Sequence, residues 1–157
     1  MALTLIEGCI DAIKDFLNTN MGAKLDDLDT EYDDGITLGD IVAYYKAETL
    51  AIEAMPAIYV LGDRTVPEAE GPTHIKAAHY IKIIVLVTDQ SNENLRKRLY
   101  RYIRAIVELM REARDDATFA NAAIVFDTLE FSPMYGQADT FLQDARVELH
   151  LTKLDTE

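Results

Sequence analysis

Six acidic side chains crowd into one short stretch: Asp26, Asp27, Asp29, Glu31, Asp33 and Asp34. Carboxylates in series are calcium ligands when their spacing is right. An EF-hand loop needs oxygen donors at fixed offsets and a glycine at its sixth position. Counting from Asp29 puts Asp34 at the glycine position and Asp40 where a bidentate glutamate belongs, so the pattern fails. A solvated acidic segment, or one that meets a basic neighbour, fits the residues better. The histidines, His74, His79 and His150, show no HxH or HExxH spacing, and Cys9 is the lone cysteine, so no zinc-ligand set emerges. Cys9 falls on the apolar side of a helical stretch and reads as a buried small hydrophobe in preference to a reactive thiol. None of the seven glycines builds a phosphate loop or a GxSxG elbow. With 28 Asp and Glu in the chain, any catalytic pair would be an arbitrary choice. No catalytic, cofactor or metal residue is assigned, and a non-enzymatic protein is expected. A small acidic enzyme or ligand-binding domain is the alternative.

Basic residues are segregated. Seven of the fifteen Lys and Arg lie between Ser91 and Arg114, a segment of net +4 in a chain of net -13. Residues 1–40 hold ten Asp and Glu against two Lys, a net of -8. Arg96, Lys97, Arg101 and Arg104 form one basic surface with Tyr100 and Tyr102 close by. Three roles fit such a surface. It is a solvated helix face with local pairs such as Arg104/Glu108 and Glu108/Arg111, worth a few tenths of a kcal/mol each. It is a subunit or partner interface, where arginine is enriched. Or it binds nucleic acid, which the acidity of the whole chain opposes.

The elements that carry these residues follow from periodicity. Leu5, Ile6, Cys9, Ile10, Ile13, Phe16 and Leu17 share one helical face, and Asn18, Asn20 and Gly22 supply stop signals, so a first helix is expected to about Asn18. Residues 25–55, which begin with the acidic stretch, are expected to form a long loop or arm. Within it, residues 40–55 fit a short strand and a helical turn equally. A strand is expected over 57–66, then a loop from Gly62 to Thr73. In that loop Asp63, Arg64, Thr65, Glu68 and Glu70 are the candidate contacts to another protein. Both faces of 76–88 are mostly apolar, which predicts a central strand covered on both sides. Ser91 is the expected N-cap of a helix whose core stripe is Leu95, Leu99, Tyr102, Ile103, Ile106, Met110 and Ala113. Strands are expected over 122–132 and 141–154; the second alternates, with Ala145, Val147, Leu149 and Leu151 inward.

The sum is one α+β domain over 1–157: α-β-β-α-β-β, with a mostly antiparallel four-stranded sheet packed by helices on one face. A length of 157 residues suits one domain with a real core. No apolar run approaches the roughly 18 residues needed to cross a bilayer. Glu7 and Asp11 interrupt the start where a signal peptide would be apolar, so assembly in the cytosol is expected.

The order and texture of these elements resemble the tail-terminator and neck proteins of long-tailed bacteriophages. The likeness rests on the opening helix LTLIEGCIDAIKDFL, a long polar crossing and the Pro-led strand MPAIYVLGDRTV. It continues in the strand–helix unit HYIKIIVLVTDQSNENLRKRLYRYIRAIVELM and two closing strands within FDTLEFSPMYGQADTFLQDARVELHLTKL. It is a likeness of architecture across nearly the whole chain, with no short diagnostic motif. It implies a virion structural protein that forms a ring, commonly a hexamer, stops tail-tube growth and docks the tail to a head-completion or connector protein. A head-closure role is the variant within the same class. DNA would pass through the centre without specific binding. Six copies at -13 would carry about -78, which favours sliding over sticking. On this expectation the basic helix face of one copy meets the Asp26–Asp34 acids of the next, and a head-to-tail contact closes the ring.

Overall fold

The computed structural model describes residues 5–47, 54–69, 75–120, 122–137 and 140–153. In chain order these form α1 (Ile6–Tyr32), β1 (Ala43–Tyr45), β2 (Ala57–Ala69), β3 (Ile75–Asp89) and α2 (Asn92–Glu112). The 3-10 turns Ala113–Asp115 and Ala117–Phe119 come next, then β4 (Ala122–Phe131), β5 (Tyr135–Gln137) and β6 (Thr140–Lys153). The fold is α+β, as expected. Its sheet has six strands and not four, ordered β1-β2-β3-β6-β4, with β5 against the start of β6. The two additions are three-residue strands too short to show a period. β1 pairs parallel to β2, and every other pairing is antiparallel.

The largest correction concerns α1. The helix does not stop near Asn18 but continues through the acidic stretch to Tyr32. Its apolar stripe continues too: Cys9, Ile13 and Leu17 are followed by Met21, Leu25 and Leu28, all buried. Three and four residues apart, they keep one face on the core while the aspartates occupy the solvent side. Gly22 is accommodated within the helix, at a cost of about 1 kcal/mol in propensity that tertiary packing overrides. Asn20 spends its amide on the Phe16 carbonyl. The stop comes at Asp33, whose φ of 41° is left-handed and whose N–H bonds back to the Asp29 carbonyl. So residues 25–55 are not a single loop or arm. They hold a helix end, a crossing and β1, with 48–53 outside the described residues.

The strand expectations hold with longer ends. β2 runs to Ala69 in register with β3, so Asp63, Arg64 and Thr65 lie in a strand and not in a loop. Glu68 pairs in register with Lys76 at the far end of the same ladder, and Glu70 lies outside the described residues. A bulge between Gly62 and Arg64 shifts the β2 register. Gly62 sits where a Cβ would come within 2.9 Å of the Ile6 Cδ1, so α1 can lie close on the strand.

Both helices pack on one face of the sheet, α1 over β2 and β3 and α2 over β3 and β6. Ile58, Val60, Ile81, Ile83, Val85, Ala145, Val147, Leu149 and Leu151 face them and are buried. The expectation of a β3 covered on both sides holds only in part. On the other face Ala78 and Leu86 are buried, whereas Tyr80, Lys82 and Ile84 between them are half-buried. Apolar composition there reflects the β-branched preference of strands as well as burial. On β6 the alternation holds as expected, with Arg146, Glu148 and His150 on the face without helices.

Candidate functional site

The basic helix begins as expected, with the Ser91 hydroxyl accepting the Asn94 N–H at 3.3 Å. Every member of its expected core stripe is buried. The polar side of α2 then divides into two rows with different neighbours.

One row faces α1. The Arg101 guanidinium forms a fork with both oxygens of Asp34, its Nη1 to Oδ1 at 2.9 Å. It also lies 3.9 Å from the centre of the Tyr32 ring. Arg104 donates to Glu31 through two nitrogens at 3.0 Å, to the Tyr32 hydroxyl and to Glu108 at 2.8 Å. A turn further on, Lys24 of α1 reaches Glu108 and Glu112. The Arg101 bond holds the Asp34 carboxyl down at about 2, and the same contact raises the guanidinium. Hydrogen bonds to Glu31, Glu108 and Tyr32 push Arg104 up. The cause is partly the helix itself. The last turn of α1 has no basic residue of its own, and its acidic side chains sit at the negative end of the helix dipole. Arg101 and Arg104, some seventy residues away, supply the missing positive charge.

This arrangement redistributes the expected interface. Arg101 and Arg104 meet Asp34 and Glu31 inside one chain. Asp29 accepts the Leu38 N–H, closing the crossing over the helix end. Lys97 pairs with Glu93 one turn away. Arg104/Glu108 forms as expected, whereas Glu108 finds Lys24 in place of Arg111. Of the expected interface residues, Arg96, Asp26, Asp27 and Asp33 are exposed and enter no ion pair among the described residues.

The other row of α2 was missed by sequence reasoning. Tyr100, Val107 and Arg111 face edge strand β4. Tyr100 meets Phe131 edge-on at 5.1 Å, and Arg114 donates to the Ile124 carbonyl. Helix and strand therefore run in opposite directions. Between them lies a groove of about 250 Å³ lined by Val107, Phe126, Leu129 and Val147, with Arg111, Asp127 and Thr128 as its polar residues. Tyr100, Leu129 and Phe131 are each 41–52% exposed on this side, whereas the exposed Val125 and Tyr135 lie on the face without helices, Val125 in register with His150 and Tyr135 with Leu142. Among the described residues no strand lies beside the outer edge of β4. The signal was available, since Tyr100, Val107 and Arg111 share one helical side, but it had meaning only beside a strand that is distant in sequence.

The other candidates are placed plainly. Cys9 is buried, which pushes its thiol up to about 11. His79 is buried with its Nδ1 3.0 Å from the Thr65 hydroxyl, and His150 meets Asp127 at 2.9 Å on the face without helices. That face also carries Arg64 over the Tyr80 ring, and Lys82 between Asp63 and Glu148. Among the described residues no group of three or more His, Cys, Asp or Glu is placed to hold a metal ion. No described helix is long and apolar enough to cross a membrane. His74 lies outside the described residues.

What fold and surface define together is an α+β domain with helices on one face and an apolar, arginine-flanked strip along a free sheet edge. No family model and no curated protein matches the chain. Among solved structures it is similar to a chain from "Virion of native gene transfer agent (GTA) particle", with a TM-score of 0.33 and 16% identity. That overlap covers 71% of this chain and 79% of that one.

Proposed function

We propose that this chain is a structural assembly protein of a tailed, phage-like particle. In this role it is a tail terminator, whose copies form a ring that caps the tail tube and joins it to a head-completion or connector protein. This reading rests on the strip of Tyr100, Leu129 and Phe131 beside the edge of β4, which has no strand beyond it among the described residues. Aromatic and aliphatic side chains exposed together next to a strand edge are what a protein–protein contact buries. Monomeric proteins usually blunt such an edge with lysine, proline or a short strand. β4 is ten residues long and carries neither lysine nor proline; a bulge at Asp127 interrupts it, and the Leu129–Phe131 end beyond the bulge is the part that stays apolar and open. The α-β-β-α-β-β order that supports the resemblance is present, with the two short strands added to it. In this role the net charge of -13 per copy lets DNA pass the ring without the counterion release that drives binding.

Mass photometry and negative-stain microscopy of the purified chain test the role. Rings with a central channel, or stoppers on the ends of tail tubes, are the expected result. A protein that stays monomeric at tens of micromolar and leaves tube ends bare would sink it.

A further inference from the structure

The assembly role leaves open what lies against the β4 strip, and two surfaces of the chain fit each other there. The first is the strip itself. Arg96 stands one helical turn before Tyr100, and Arg111 lines the far part of the groove. Neither enters an ion pair among the described residues. Fifteen residues apart on one helix, they are about 22 Å apart along its axis. Between them project Leu129, Phe131 and Tyr100. This surface is apolar in its middle, with an arginine that enters no ion pair among the described residues toward each end and Asp127 beside Arg111.

The second surface is on α1. A shallow depression of about 220 Å³ is floored by Ala12 and Phe16 and bordered by Asp15, Thr19 and Asp116. Asp116 accepts the Thr118 N–H, which keeps its carboxyl below the usual range, so the rim is charged at neutral pH. Asp26 lies eleven residues beyond Asp15, which returns to the same side of the helix about 16 Å further along. Asp15 and Asp26 are exposed and form no ion pair among the described residues. This surface is concave and apolar at one point and negative along its length. The span between its acids, plus the reach of two arginine side chains, matches the first surface.

The two surfaces are distinct: one lies between α2 and β4, the other between α1 and the turn at Asp116–Thr118. A contact between them is therefore heterologous, the kind that closes into a ring or continues as a filament.

We propose that the β4–α2 strip of one copy binds the α1 acidic face of the next. Phe131 and Leu129 enter the depression at Ala12 and Phe16, while Arg96 and Arg111 take the neighbour's Asp15 and Asp26. This inference rests on the assembly role above and names the partner of that surface as a second copy of the chain.

The test is sedimentation velocity of the full chain at about 50 and about 500 mM salt, with three variants. Arg96→Glu with Arg111→Glu is expected to weaken self-association about tenfold or more. Asp15→Lys with Asp26→Lys should do the same. All four changes in one chain should restore association, because each reversed charge again meets its opposite. These side chains are exposed and without ion pairs among the described residues, so unchanged circular dichroism is expected, and Leu129→Asp probes the apolar centre independently. Wild-type rings that persist in the Arg96→Glu/Arg111→Glu variant would overturn this contact and leave the assembly role standing. A quadruple variant that stays dissociated also overturns it, and so does a single partner of another kind that covers the strip while self-association is unaffected. A wild-type chain that never associates overturns both.

Discussion

Arg101 shows how a residue on a charged surface becomes a fold-determining one. It is 6% exposed, forked onto Asp34 and stacked on Tyr32. Removing its partner leaves a nearly buried guanidinium short of acceptors, which costs more than the loss of an ordinary surface pair. The pH dependence has a definite sign. Asp34 titrates at about 2 in the folded chain against an ordinary 3.8, so its contribution is present above about pH 4. It is lost as pH falls through the folded value. Melting temperatures of the wild type and Asp34→Asn should differ by a constant amount from about pH 5 to 8 and converge toward pH 2. A gap that persists at pH 2 would show that Asp34 acts by something other than its charge. Cys9 makes a second prediction at this scale. Buried, with its thiol pushed up to about 11, it should react with a thiol reagent at pH 8 only after unfolding. Rapid labelling of the native protein would contradict its placement.

Among the elements, α1 departs furthest from the sequence reading. Asn18, Asn20 and Gly22 are good local stop signals, and the acids after them look like a loop. Met21, Leu25 and Leu28 continued the stripe in plain view, but a stripe gains its weight only from what it packs on. Here that is α2 and the sheet, through which the buried side chains join one core. Ala23→Pro discriminates between the two descriptions. Ala23 is exposed in the helix interior, where proline removes a hydrogen bond and clashes with the preceding turn, at a cost of about 3 kcal/mol or more. In a loop the same change would be nearly silent. Urea denaturation measures the difference. Gly136 in β5 is a further sensitive point: its φ is 124°, and a Cβ there would lie 2.2 Å from the Thr140 carbonyl oxygen.

For the whole molecule, the decisive fact is that both helices pack on one face of a sheet whose central strand is apolar on both. Neighbouring positions on β3 make this measurable. Ile83 is fully buried under the helices, and Ile84 is half-buried on the opposite face. Ile83→Ala should cost about 2–5 kcal/mol and Ile84→Ala clearly less, by chemical denaturation of the dissociated chain. Equal costs would mean that the second face is covered too. The charge distribution is also a property of the whole. Arg101 and Arg104 neutralise the acidic end of α1, whereas Arg96 and Arg111 enter no ion pair among the described residues. Under the proposed contact, the salt dependence of association should fall when Arg96 and Arg111, or Asp15 and Asp26, are replaced.

The order of the main helices and strands, the core stripe of α2 with its Ser91 cap, the alternation of β6 and the burial of Cys9 are all legible in the residue pattern. These follow from local periodicity and capping, which need no knowledge of distant partners. Where α1 ends, which strands are edges and which opposite charges meet are fixed by packing. Those depend on contacts between residues such as Asp34 and Arg101, or Tyr100 and Phe131, that are far apart in the chain. The energy of each such contact exists only once both elements are packed side by side.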